Sequence, residues 1–253
     1  IGQGKEAQGC SGEERENLHD RENIGCLMPH RQVTFGLRCR SLISANQRVR
    51  FMLFVLRHGE TEWNRLGRFQ GQQNSPLTER GQRQAAAMGR LLCDLLVDPA
   101  STPIWCSPLG RAQQSCHQVC SALGINQDMV SESEALKEVN FGDWEGLSAT
   151  QVALQDRAAY DHRNRDKFHN PAPGGECYRD VFGRVSAWLE TIDRERQTVV
   201  IAHGSLNRML VAAATGIAPQ RCLEEVPLPQ DAFLSVTEGD WEVLATDFVD
   251  VNA

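Results

Sequence analysis

Two short phrases, Arg57-His58-Gly59 and His203-Gly204, each follow an unbroken apolar run, FMLFVL and TVVIA. A third run, PIWCS, ends at Ser107 and passes into a segment that carries Arg111. Arginine and histidine at the ends of hidden strands suit one kind of chemistry together. A guanidinium presents paired donors that match phosphate oxygens, and free N–H groups at helix starts add favourable dipoles. A neutral imidazole has a ring lone pair that can attack phosphorus. Arg57 beside His58 should keep that ring neutral by like-charge repulsion. If the three ends share one rim, they make an anion site with a nucleophile inside it, most naturally for phosphate. Gly59 is read as the residue that lets backbone pass close to a ligand.

Each of these residues also has an ordinary reading. A single histidine at a strand end is commonly a hydrogen-bonded structural group, and only the pair of His-Gly ends with an adjacent arginine argues for catalysis. Two histidines with a carboxylate such as Glu138 could instead ligate a metal, but neighbouring arginines repel a divalent cation. His19, His30, His162 and His169 lie in polar segments and read as solvated surface. His117, within the Cys116–Cys120 turn, reads as packing.

The elements that must position these groups alternate. FMLFVL, PIWCS and TVVIA read as buried strands. SPLTERGQRQAAAMGRLLCDLL reads as a helix capped by Thr78, with Met88, Leu91, Leu92, Leu95 and Leu96 on one stripe. GRAQQSCHQVCSALG is a helix ended by Gly124, and SLNRMLVAAATG is another. Val181, Phe182, Val185, Trp188, Leu189 and Ile192 recur at helical spacing. FLSVTEGDWEVLATDF closes the chain as a hairpin turning near Gly239-Asp240. The expected fold is α/β, a three-layer sandwich of a mainly parallel sheet with helices on both faces. Ligands of such sheets bind beyond the carboxyl ends of the strands.

Residues 1–50 stand apart: they lack a helical or strand period and are expected to be a largely disordered N-terminal extension to a domain at 51–253. An arginine-rich transit peptide is disfavoured there, because acids precede the basic run. Met52 would make a natural start, so the extension reads as an upstream addition without a catalytic role. The 253 residues carry a formal net charge of −7, which argues against a nucleic-acid partner. No apolar run is long enough to span a membrane. The nine cysteines form no CxxC pair and suit a reducing, cytoplasmic setting.

LRHGETEWN, SPLTERG, SPLGRAQQS, LKEVNFGDWEG, PGGEC and IAHG occur in order. From Phe51 onward the chain thereby resembles the histidine phosphatase superfamily, phosphoglycerate-mutase-like branch. The resemblance implies that His58 is the nucleophile, taking the phosphoryl group as a phosphohistidine. It implies that Arg57, Arg111 and His203 grip the equatorial oxygens. Asn64, Gln70 and the backbone of Gly71 and Gly204 would be further phosphate contacts. Glu138 would give a proton to the leaving oxygen, a role worth typically about 10²–10⁴ in rate. Asp143 and Glu145 read as structural.

About thirty residues separate Gly146 from PGGEC, a spacing similar to the phosphatase members, including the α-ribazole and broad-specificity phosphatases. The expectation is a phosphomonoester hydrolase acting on a small phosphorylated substrate, with neither cofactor nor metal and no membrane partner; a homodimer is compatible. A cofactor-dependent phosphoglycerate mutase is the alternative, and a silent phospho-ligand or partner-binding module a further one. Arg157, Arg163, Arg165 or Lys167 could meet a second anionic group, although a solvated polar face is the preferred reading of that segment. Two departures stand out. Cys177 replaces the usual serine after GGE, which puts that hydroxyl's hydrogen bond near the acid loop in doubt. PLPQDA replaces a Pro-Asn segment.

Overall fold

The computed structural model describes residues 51–227 and 229–250. The expectations for residues 1–50, for His19 and for His30 fall outside them. The elements run β1 (Met52–Arg57), α1 (Glu62–Arg65), α2 (Glu79–Leu95), β2 (Ile104–Cys106), α3 (Gly110–Leu123), β3 (Ser131–Glu132), α4 (Ala149–Gln155) and α5 (Arg157–Arg165). They continue with α6 (Tyr178–Leu189), β4 (Gln197–Ala202), α7 (Gly204–Thr215), α8 (Pro219–Glu225), β5 (Ala232–Thr237) and β6 (Asp240–Ala245).

The expected α/β sandwich is what the chain forms. Six strands make one sheet in the order β3-β2-β4-β1-β5-β6. The β3–β2, β2–β4 and β4–β1 pairings are parallel. The closing hairpin adds the antiparallel β5 and β6, and Gly239 turns it with φ 78°.

Alternation along the strands sorts side chains onto two faces. Leu53 and Val55 of β1 join Val200 and Ala202 of β4 on one face. Val181, Val185 and Trp188 of α6 and Leu206, Met209 and Leu210 of α7 cover them. Phe54, Leu56, Val199 and Ile201 point the other way, onto Met88 and Leu92 of α2 and Cys116, Val119 and Cys120 of α3. Each fully buried large aliphatic contributes about 1.5–3 kcal/mol. Cys116 and Cys120 are therefore the small core residues expected, their thiols 3.8 Å apart. Thr78 caps α2 by accepting from Gly81 N, and Gly124 ends α3 in the left-handed region.

Parallel pairing also places the chemistry. Arg57 lies opposite Ala202, and Cys106 opposite Ile201, so three carboxyl ends finish level on one rim. The ladder extends one residue past each strand: His58 N donates to Ala202 O, and Ser107 N to Ile201 O, both at 3.0 Å.

Candidate active site

His58 is buried and its ring has a defined tautomer. Nδ1 lies 2.8 Å from Gly59 O, and a carbonyl only accepts, so Nδ1 bears the hydrogen. Nε2 is left with its lone pair, and Arg111 Nε donates to it at 3.2 Å. The backbone is held as well: Gln230 Nε2 donates to His58 O (3.3 Å) and to Asn64 Oδ1 (3.0 Å).

Gly59 has a different purpose from the expected one. A Cβ there would come within 2.0 Å of Gly81 O, so this glycine admits the first turn of α2, and it does not line the cleft described below. Gly59 N donates to Ser115 Oγ of α3, which ties the histidine mount to a second helix.

Arg111 sits in the first turn of α3, and nearly all of it is buried. Its Nη1 and Nη2 donate to Gln73 O and Gly71 O, each at 2.7 Å, and its own N–H bonds Asn74 Oδ1. Gly71 has φ 53°, and a side chain there would strike the Glu145 carboxylate. That carboxylate accepts from Gln72 N, Gln73 N and Phe141 N, joining the loop that holds Arg111 to the acid loop. Glu145 is thus structural, as expected.

His203 lies behind His58, with ring centroids 5.3 Å apart. Its Nε2 is 2.7 Å from Ser107 Oγ at the end of β2. Its buried Nδ1 has no hydrogen-bond partner among the described residues, and neither has Gln70 Oε1. Buried polar atoms left in that state call for an explanation, and a bound ligand is one.

Glu138 follows a short 3₁₀ turn at Glu134–Leu136, and its carboxylate reaches the start of α7. Oε2 accepts from Ser205 N (3.1 Å), and Oε1 from Leu206 N and Val139 N (both 2.9 Å). An acid held at a helix N-terminus is electrostatically favoured.

Of the nine candidate residues, Arg57, His58, Asn64, Gln70, Gly71, Arg111 and Glu138 line one cleft of about 320 Å³. His203 and Gly204 are buried and do not line it. Among the described residues Glu138 is the one carboxylate in the lining, against Arg57, Arg68, Arg111, Arg163 and Lys167. No group of three His, Cys, Asp or Glu among the described residues could hold a metal ion.

Along this segment Arg163 alone among the four cations departs from the solvated-face reading. Arg163 is only 3% exposed. Its guanidinium lies 5.1, 6.0 and 5.4 Å from the ring centroids of Phe141, Trp144 and Tyr178. Cation–π attraction of about 2 kcal/mol at a desolvated ring offsets part of its burial. Arg157 keeps to the surface, paired with Asp161, and Arg165 is exposed. His117 also departs from expectation. It is exposed, with Nδ1 3.1 Å from Gln127 Oε1, because its α3 position faces outward while Cys116 and Cys120 face the core. The Cys177 thiol donates to Asp180 Oδ2 at the start of α6, not to the acid loop. Gln230, in the departing PLPQDA phrase, had no local signal to mark it.

Burial, then Arg111, then Arg57 hold the His58 ring well below the usual histidine pKa. Burial first, and Arg111 second, do the same for His203. Burial also lowers Arg111, to about 10. Both rings are therefore neutral when folded but take up protons when unfolded below about pH 6.5. The unfolded chain then binds more protons, so stability falls as pH drops from about 6.5 toward the depressed folded values, by about 1.4 kcal/mol per pH unit for each ring. Urea unfolding at several pH values in phosphate-free buffer should give His58→Gln a slope shallower than wild type by about that amount. Equal slopes would mean that the folded ring is not held neutral.

A profile of the histidine phosphatase superfamily (branch 1) matches residues 53–246. A 2,3-bisphosphoglycerate-dependent phosphoglycerate mutase of Brucella ovis is 34% identical over 180 residues, covering 68% of this chain and 85% of that protein. The α-ribazole phosphatase of Shigella flexneri superposes with a TM-score of 0.65 at 23% identity, over 80% of this chain and 100% of its own, a likeness of fold. A mycobacterial glucosyl-3-phosphoglycerate phosphatase, solved with VO3, gives 0.63 at 25% identity over 79% and 99%.

Proposed function

The chain belongs to the histidine phosphatase superfamily, branch 1, and from that membership we propose a phosphomonoester hydrolase that works through a phosphohistidine on His58. The observation that carries it is the His58 ring, with Nδ1–H spent on Gly59 O and the Nε2 lone pair turned to a guanidinium in a cleft that also contains Glu138.

The Nε2 lone pair attacks phosphorus as the P–O ester bond breaks, and the leaving oxygen takes its proton from Glu138. Water then attacks phosphorus, the P–N bond breaks, and the Glu138 carboxylate takes the water's proton. Arg111 Nε, which donates to His58 Nε2, turns to an equatorial oxygen when phosphate enters, beside Arg57. With the Ser107 hydroxyl donating to His203 Nε2, the His203 Nδ1–H is left to donate to phosphate. Asn64, Gln70 and the backbone of Gly71 and Gly204 complete the cradle.

The substrate is a small phosphorylated metabolite, in keeping with the cleft's volume. The aromatic rings, Arg163 and Lys167 on the outer wall favour a second anionic group at its far end. We place the protein in the cytoplasm, since the six described cysteines are free thiols. Among the described residues, no helix is long and apolar enough to cross a membrane.

The identity to phosphoglycerate mutases favours a second reading, isomerisation. Against it stands the segment of about thirty residues after the acid loop, similar in length to the phosphatase members, which should admit water to the phosphohistidine. A panel of phosphomonoesters separates the two. Phosphate release is expected, with Arg163→Met raising KM about tenfold for esters bearing a second anion and little for those without, as loss of one charged contact would. Fast interconversion of 2- and 3-phosphoglycerate with a bisphosphate primer, without phosphate release, would establish the mutase instead.

A further inference from the structure

We propose that Arg184 is a positioning residue which, paired with Glu176, holds the acid loop so that the Glu138 carboxyl reaches the leaving oxygen; this rests on the hydrolase reading above. Arg184 projects from α6 and lies outside the cleft lining. Its guanidinium instead grips backbone on both sides of the acid. Nη1 donates to Ala135 O (2.6 Å), and Nη2 to Glu138 O (3.1 Å). Nε and Nη2 donate to the two Glu176 oxygens, at 3.2 and 3.3 Å.

Glu176 closes the other half. Its Oε2 accepts from Asn140 N (2.9 Å), and its own N–H donates to Asn140 O (2.8 Å). One ion pair therefore fixes the chain before, at and after Glu138. The far end of that side chain is fixed separately, by Ser205 N and Leu206 N of α7. With backbone and head group both held, the carboxyl has few ways to move. A proton donor needs this, because transfer falls off steeply once the acid leaves hydrogen-bond reach. The pair is half-buried, the two side chains being 21% and 25% exposed, so it is less screened than a surface pair. The competing account is that the buried Leu136 and Val139 anchor the loop unaided, and that Arg184 supplies only ordinary stability.

Leaving-group dependence distinguishes the two. An alkyl phosphate expels a poor leaving group and needs the proton; 2,4-dinitrophenyl phosphate expels a stable phenolate and does not. kcat/KM is the quantity to compare, since it covers only the steps up to alcohol release. Arg184→Met is expected to lose about 10–100-fold on the alkyl ester, part of the general-acid contribution, and under about threefold on the dinitrophenyl ester. Glu176→Gln, which keeps an acceptor for Asn140 N, should show the same selectivity to a smaller extent, and Arg184→Lys should recover part of the alkyl activity. Placed in a Glu138→Gln protein, Arg184→Met should add almost nothing on the alkyl ester. Equal losses on both esters, or none on either, would overturn the proposal. If Arg184→Met does not fold, the same pattern read in Glu176→Gln and Arg184→Lys decides. A wild-type protein that releases phosphate from neither ester would remove the hydrolase reading itself, and this inference with it.

Discussion

Replacing His58 with glutamine is expected to lower phosphomonoester turnover by at least about 10⁴-fold, as loss of a covalent nucleophile does. It should also abolish acid-labile phosphate on the protein after quenching with a labelled ester. The reason lies in the ring's setting. Nδ1–H is fixed on Gly59 O, so the neutral ring presents its lone pair at Nε2. Burial and two guanidiniums keep it that way far below the pH at which a free imidazole would charge. Among the described residues no other side chain in the cleft lining offers a neutral nitrogen nucleophile, and His203 has its Nε2 on Ser107. Glutamine fills similar space and can still bond locally, so the fold should survive. Wild-type turnover in that variant, with or without label on another residue, would end the phosphohistidine account.

Arg111→Met should cost about 10²–10³ in kcat/KM, the usual worth of one preorganised charge on a developing anion. It should also destabilise the protein, because Gly71 O and Gln73 O would lose their donors inside the molecule. The pH profile separates these effects. Burial is the first cause of His58's lowered pKa and Arg111 the second. Without the guanidinium the ring charges more easily, so the acid limb of kcat/KM moves upward, toward the ordinary histidine value. Arg111→Lys should keep the limb near its wild-type position, since it retains the charge. Its rate should stay low, since one ammonium cannot reproduce the fork that bonds Gly71 O, Gln73 O and His58 together. An unmoved limb in Arg111→Met would show that its charge does not control the ring.

Much of this was legible in the residues because much of it is local. The apolar runs at FMLFVL and TVVIA read as buried strands, and both are. Thr78 and Gly124 mark helix ends through bonds made within a few residues of themselves. Local signals mislead where the deciding partner is distant in the chain. Gly59 reads locally as a ligand approach because its neighbour Gly81 lies on another element. Arg163 looked solvated because the rings of Phe141, Trp144 and Tyr178 that enclose it come from the acid loop and α6. Gln230 gave no sign at all, since its hold on His58 and Asn64 exists only once β5 pairs beside β1.

By itself, then, the sequence determined which segments become strands and helices and which groups are chemically able to react, because backbone propensity and side-chain periodicity act over a few residues. Only the tertiary structure decided that β1, β2 and β4 end level, that both imidazoles lose their water, and that Arg184 closes on the acid loop. Those outcomes depend on desolvation and register, which are set by atoms brought together from chain segments far apart, and no local window of residues contains them.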